Sequence, residues 1–346
     1  MDMFPQASVF TSIYWRERMP LAYRQWDIHT TWMDRLPGIY RHHQSYLLLY
    51  PMAFGGLDLG DYDLVISNKS AFCLGVRTSA KTRHICYCLT PTRFVWDFGT
   101  YVHREQIGQG ARLLVSPFVR WLQRWERAAA DRVDAFVAIS REVQDRVRRV
   151  YGRESTVIYP PVNTNHQGPA GQAATDLPGD YFLIVSRLIP YKRIDLAIQA
   201  FNELGLPLLI AGDGRDRPSL ESMAGPNVRL LGYVPDEEVS ALMAGCRGFL
   251  FPGREDFGIA PVKAMAAGRP VIAFAGGGAL DTVVEGVTGA FFHEQTPESL
   301  REAVSRFDQM TFDPAVIQRH ARQFGTAVFK EQLAALIEEE LDRGWS

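Results

Sequence analysis

At 346 residues the chain is longer than one ordinary core supports, and 47% hydrophobic residues suffice for two domains of roughly 150 residues each. Lys and Arg number 37 against 39 Asp and Glu, a net charge of -2, which excludes a disordered chain and gives no reason to expect nucleic-acid binding. Cys73, Cys86, Cys88 and Cys246 make neither a disulfide scaffold nor a CxxC pair, and Cys86-x-Cys88 is too tight for the usual zinc spacings, so a reduced, cytoplasmic compartment is expected. No apolar run reaches the ~20 residues of a membrane span, and the first residues lack the basic-then-apolar layout of a signal peptide.

The elements alternate along the chain. A β-rich run starts at Ala7, and further strands follow at 62–67, 84–88 and 134–140. Between the last two, Leu113, Leu114, Phe118, Leu122 and Trp125 recur at helical spacing over Arg112 to Val133. The stretch NTNHQGPAGQAATDLPGD, rich in Gly, Pro and Ala and without periodicity, reads as a linker. Beyond it YFLIVS, LPLLIAG, NVRLLG, GFLFPG and RPVIAF alternate with helical segments, the last of them ALDTVVEG, and Asp313 to Leu341 is again helical. Repeated βα alternation with short loops predicts a parallel, doubly wound sheet in each half.

Ligands of such sheets bind at the carboxyl ends of the strands, and two loops there carry chemistry. In SRLIPYKRID, Arg187 offers a planar fork and Lys192 a point charge, a combination suited to a diphosphate; a solvated surface pair is the ordinary alternative. In GREDFGIAPVKAMAAG, Glu255 can accept from sugar hydroxyls, while the amides of Phe257, Gly258 and Ile259 open a helix and can bind an anion. Glu255 supporting only the helix start is the plainer reading. A third loop, AGGGAL, brings Gly277 and Gly278 to the same edge.

SRLIPYKRIDLAIQAFN, EDFGIAPVKAMAAGRPVIA and GGGALDTVVEGVTGAFF resemble the donor domain of the retaining glycosyltransferases of family 4, which have the GT-B fold: α/β, two Rossmann-like domains facing across a cleft. CLTPTRFVWD, DRVDAFVAISREV and VIYPPVN are similar to the bacterial O-antigen and exopolysaccharide mannosyltransferase branch, so the resemblance covers nearly the whole chain. It implies an acceptor-side domain over 1–165, a nucleotide-sugar domain over 178–321, and 322–346 crossing back onto the first. The implied reaction moves a hexose, with GDP-mannose the favoured donor, to a lipid-linked or polysaccharide acceptor with retention of configuration. Arg187 and Lys192 would hold the diphosphate without a metal or other cofactor, Glu255 the sugar, and Phe257 to Ile259 the cradle between them. Thr90, Arg93, Trp96 and Asp97 would lie on the acceptor side.

The chain departs from the family pattern at three places. Lys263 stands where the second glutamate of E-x7-E is expected, and lysine has no acceptor for ribose hydroxyls unless it turns to the diphosphate instead. Leu89 replaces the histidine of a C-H-T-P segment. The opening residues read as the end of a first helix and a second strand, so a central strand with its Gly-rich loop is expected upstream, from a start placed too late or a truncated gene. These departures favour a rival reading, a catalytically silent relative that binds a saccharide, nucleotide or partner. Asp61-x-Asp63 reads as a turn rather than a metal site, AGDGRD lacks the third glycine of a dinucleotide fingerprint, and His42 and His43 lack a matching ligand set. Finally, Arg112, Arg120, Arg124 and Arg127 beside Trp121 and Trp125 suit either an anionic membrane surface or a helix packed on its own sheet with a solvated basic face.

Overall fold

The computed structural model describes residues 1–97, 109–165 and 180–343, with the backbone alone over 109–115. Most of the linker expected between the domains therefore lies outside the described residues, as does the side chain of Arg112. The chain divides into two compact units, Met1–Ile139 with Val143–Val157 and Leu333–Ser346, and Ser140–Glu142 with Ile158–Gln332. The division into units falls at Leu333, inside the helix Thr326–Asp342.

In the first unit a short parallel pair, β1 (Val9–Thr11) and β2 (Ile28–Thr30), precedes a parallel sheet ordered β3 (Leu64–Lys69), β4 (Arg83–Cys88), β5 (Ala135–Ala138) and β6 (Thr156–Val157). The crossover from β4 to β5 includes the helix Gln109–Ala130, and that from β5 to β6 is the helix Arg141–Tyr151. The second of these buries Val143, Val147, Val150 and Tyr151, the stripe its spacing predicts. β2 was not legible because three residues are too few to show a period. The outer edge of β3 has no strand partner among the described residues, although Phe10 on β1 meets Tyr62 at 5.7 Å between ring centroids. Ile66, in the middle of β3, is 37% exposed there. Asp61 and Asp63 are exposed in the turn before β3, and His42 and His43 are exposed as well.

The buried face of this sheet is partly polar. His84 on β4 lies with Nε2 3.0 Å from Ser67 Oγ on β3. Burial pushes the imidazole down to about 4, with Asp134 opposing and Arg132 assisting. Above pH 6.5 the folded and unfolded chains both carry a neutral ring. Between there and about 4 the unfolded chain takes up a proton that the folded chain refuses. Stability therefore falls as pH falls through this window, by about 3 kcal/mol when complete. His84→Gln is expected to remove this component: its urea midpoint should drop less than that of the parent between pH 7 and pH 4.5. Equal drops would assign the titration to another group.

The second unit is one parallel sheet ordered β12 (Gly289–Phe292), β11 (Val271–Phe274), β10 (Gly248–Phe251), β7 (Phe182–Val185), β8 (Leu208–Ala211) and β9 (Val228–Gly232). Its strands are short unbroken apolar runs because helices cover both faces of such a sheet. Phe182, Ile184, Phe201, Leu208, Ile210, Leu250, Ile272 and Phe292 form one buried cluster with Leu300, Val304 and Phe307 of the helix Pro297–Phe307. That helix and β12 went unread, although Thr296 caps the helix through the amide of Ser299 and Pro297 stands at its first position. The helix expected over ALDTVVEG is only Ala279–Thr282. Val283 turns extended, and Thr288 Oγ1 accepts from the Val284 amide at 2.8 Å to close a turn instead.

Candidate active site

The strand order reverses at β7: β8 and β9 follow on one side, while β10, β11 and β12 lie on the other. The loops leaving β7 and β10 thus flank the crevice where doubly wound sheets bind ligands. The first continues into a turn at Pro190–Lys192 and then Arg193, which has φ 54. Among the described residues it is the one non-glycine with positive φ, so the chain holds a strained bend directly after Lys192. The second runs from Pro252 to Gly258, which has φ 96 and caps the helix Ile259–Ala266.

These two loops meet through their side chains. Lys192 Nζ pairs with the Glu255 carboxylate, and the two side chains are only 13% and 21% exposed. The ammonium also stands 5.2 Å from the centre of the Tyr191 ring. Arg187 is exposed, and its guanidinium has no partner among the described residues. The expected trio of Arg187, Lys192 and Glu255 therefore sits on the two loops beside the switch point, one cation open and the other held by the carboxylate.

The third loop fixes where Glu255 stands. Gly278 donates its amide to the Glu255 carbonyl at 2.8 Å, and Glu255 and Gly277 form a parallel bridge. A Cβ on Gly278 would lie 2.2 Å from Phe257 Cα, and one on Gly277 2.2 Å from the Glu255 carbonyl oxygen. Such distances are accommodated only by moving backbone, so Gly278→Ala is expected to cost about 1–3 kcal/mol and displace the loop. A thermal melt and a nucleotide-diphosphate titration should report both effects; an unchanged melting point would show that the loop yields freely. The G-x-G of AGDGRD has a similar origin, because Cβ atoms on Gly212 and Gly214 would strike the carbonyls of Ser186 and Leu188, at 1.9 and 2.2 Å.

Phe257 enters the site through its amide and not its ring. The ring is 3% exposed, stacked on Tyr159 at 5.7 Å and edge-on to Phe324 at 5.8 Å. The amides of Phe257, Gly258 and Ile259 make no hydrogen bond among the described residues and stand at the positive end of the helix. Ile259 and Lys263, one turn apart on this helix, are both exposed.

On the first unit, the residues expected near the acceptor lie on the loop after β4. Thr90 is buried and its hydroxyl accepts from Arg146 at 2.6 Å. Trp96 is half-buried, donates from Nε1 to Glu126, and lies 4.9 Å from the Arg127 guanidinium. Arg93 is half-buried and engaged, Leu89 is half-buried, and Asp97 is exposed. The anchors Arg146 and Glu126 were missed. For Glu126 a signal existed: it falls four residues after the buried Leu122, on the apolar stripe of its helix. Arg120, Trp121, Arg124 and Arg127 are exposed on that helix, whereas Trp125 is half-buried and packs against the buried cluster of Phe72, Val95 and Leu122.

Two Rossmann-like units, the second presenting cations, a carboxylate and a helix start at its switch point, define a protein built like the GT-B enzymes. A model described as Glycosyltransferase Family 4 matches residues 10–166, and one described as Glycosyl transferases group 1 matches 172–324. An uncharacterized glycosyltransferase of Methanocaldococcus jannaschii is 27% identical over 176 residues, 49% of this chain and 48% of its own, so the chain spans about half the length of that relative. The alpha-1,3/1,6-mannosyltransferase ALG2 of Mus musculus is 26% identical over 325 residues, 83% of this chain and 75% of its own. Among solved structures, HepE of Anabaena, in complex with UDP and glucose, superimposes with a TM-score of 0.66 at 19% identity, covering 92% of this chain and 88% of that one. The chain belongs to the family 4 glycosyltransferases and has their GT-B fold.

No described helix is long and apolar enough to cross a membrane.

Proposed function

We propose that the chain transfers a hexose from a nucleoside-diphosphate sugar to a lipid-linked or polysaccharide acceptor with retention of configuration. The observation that carries this reading is the Lys192–Glu255 pair at the switch point, beside three open helix-start amides. On donor binding, Lys192 exchanges the Glu255 carboxylate for the diphosphate, which Arg187 grips from the open side. Glu255, released, accepts from the sugar hydroxyls. As the glycosidic bond breaks, negative charge grows on the leaving diphosphate, and the two cations with the amides of Phe257 to Ile259 stabilise it where it forms. The two cations do the work of a metal in this scheme.

Mannose from GDP-mannose is favoured by the mannosyltransferase relative, and UDP-glucose is the competing donor because HepE holds UDP and glucose. The exposed Arg120, Trp121 and Arg124 fit an anionic membrane surface where a lipid-linked acceptor waits. Flotation with anionic vesicles, lost on replacing both arginines, tests that part.

Lys263 favours the second reading, a silent relative, since an exposed ammonium occupies the place of the expected second carboxylate. Calorimetry with GDP and UDP separates the two. Binding of either is expected, and absence of both, unrestored by Lys263→Glu, would overturn the transferase reading.

A further inference from the structure

Lys69, the last residue of β3, is fully buried, with its Nζ 2.7 Å from Glu126 Oε1; that carboxylate is likewise buried. The donor chemistry above uses neither. Glu126 Oε1 also accepts from Thr92 Oγ1 at 2.5 Å and Tyr151 OH at 3.0 Å, and Oε2 accepts from Trp96 Nε1. Lys69 donates to the Thr90 carbonyl at 3.4 Å and to Thr92 Oγ1 at 3.2 Å. Gln123, on the helix that bears Glu126, reaches the Val95 carbonyl at 2.9 Å. Contacts from β3, from that helix and, through Arg146 to Thr90, from the helix Arg141–Tyr151 therefore converge on one loop, Leu89–Asp97, which holds the helical turn Arg93–Trp96 and follows the carboxyl end of β4.

Stability alone does not account for this arrangement. Removing two charges from water carries a penalty that their attraction barely offsets, and an apolar pair of similar volume usually holds elements together as well or better. What an apolar pair cannot do is orient a carbonyl, a hydroxyl and an indole simultaneously. The oriented loop stands where doubly wound sheets bind ligands. Burial works against the Lys69 charge more than any single neighbour favours it, but the Glu126 carboxylate, with smaller contributions from Cys88 and Cys73, shifts the ammonium above the usual lysine value.

We propose that Lys69 and Glu126 are positioning residues, an internal ion pair that sets the shape of the loop Leu89–Asp97 for acceptor binding. The assignment of this loop to the acceptor rests on the transferase reading; the control of its shape does not.

The test uses the full chain and the neutral pair Lys69→Met/Glu126→Gln, in which the introduced amide keeps an acceptor for Thr92 and Tyr151. The melting point of this double variant is expected to recover most of what either single variant loses. With stability recovered, amides of the 89–97 loop should still exchange with deuterium at least ten times faster than in the parent, while those of β5 do not. Transfer from GDP-mannose or UDP-glucose to a prenyl-diphosphate-linked hexose should show an acceptor KM raised about tenfold, with GDP or UDP affinity unchanged. Loop exchange that returns to the parent value with the melting point would overturn the proposal, as would an unchanged acceptor KM. If the parent itself transfers nothing to this acceptor, the acceptor assignment falls, and the exchange measurement still decides whether the pair shapes the loop.

Discussion

Lys192→Ala is expected to lower the rate of sugar transfer by about 10²–10³-fold, the usual consequence of deleting one preorganised donor to a growing oxyanion. The side chain is 13% exposed and its partner carboxylate 21%, so the fold should lose about 1–3 kcal/mol, less than for a fully buried pair because Glu255 keeps some access to water, and the melting point separates misfolding from lost chemistry. Glu255→Gln should behave differently. Removing the carboxylate frees Lys192 from its resting partner, so calorimetry should show bare GDP or UDP binding several-fold tighter, while transfer falls through loss of the sugar contact. If Glu255→Gln weakens nucleotide binding instead, the carboxylate supports the loop and does not compete for the lysine. Initial rates with both donors complete the comparison.

The second large effect concerns stability. Each of Lys69→Met and Glu126→Gln leaves one buried charge without its counter-charge, a change that typically costs about 3–5 kcal/mol. Lys69→Met should fall at the lower end, because Thr92, Tyr151 and Trp96 still donate to the carboxylate. Glu126→Gln should be costlier, since the Lys69 ammonium then keeps only neutral acceptors and tends to shed its proton. Urea unfolding of the two singles and the double measures the coupling directly, and purely additive losses would deny the pair an interaction of its own.

Much of the second unit was legible in sequence for a plain reason. Strands covered on both faces become unbroken apolar runs, and FLIV, LLIA, GFLF and VIAF stand between helical periods. The loops after β7 and β10 also announced their chemistry, because Arg187, Lys192 and Glu255 are polar residues at strand exits. Short elements escaped: β2 carries too few residues for a period to emerge, β12 (GAFF) opens on Gly and Ala and so lacks the bulky apolar run of its neighbours, and the helix after the glycine run stopped early through a side-chain turn at Thr288. The first unit's loop was read by residue type, and the structure turns Thr90 and Trp96 inward onto Arg146 and Glu126 while leaving Asp97 exposed.

The sequence by itself determined the two βα halves, the strand-end loops and the residue types available to bind a diphosphate and a sugar, because these depend on local periodicity and on side-chain chemistry. Only the tertiary structure decided that Lys192 rests on Glu255, that Phe257 contributes an amide while its ring joins Tyr159 and Phe324, and that Lys69 is buried against Glu126. The reason is physical. Each of these contacts joins residues far apart in the chain, and the order in which parallel strands assemble decides which loops become neighbours and which charges lose their water.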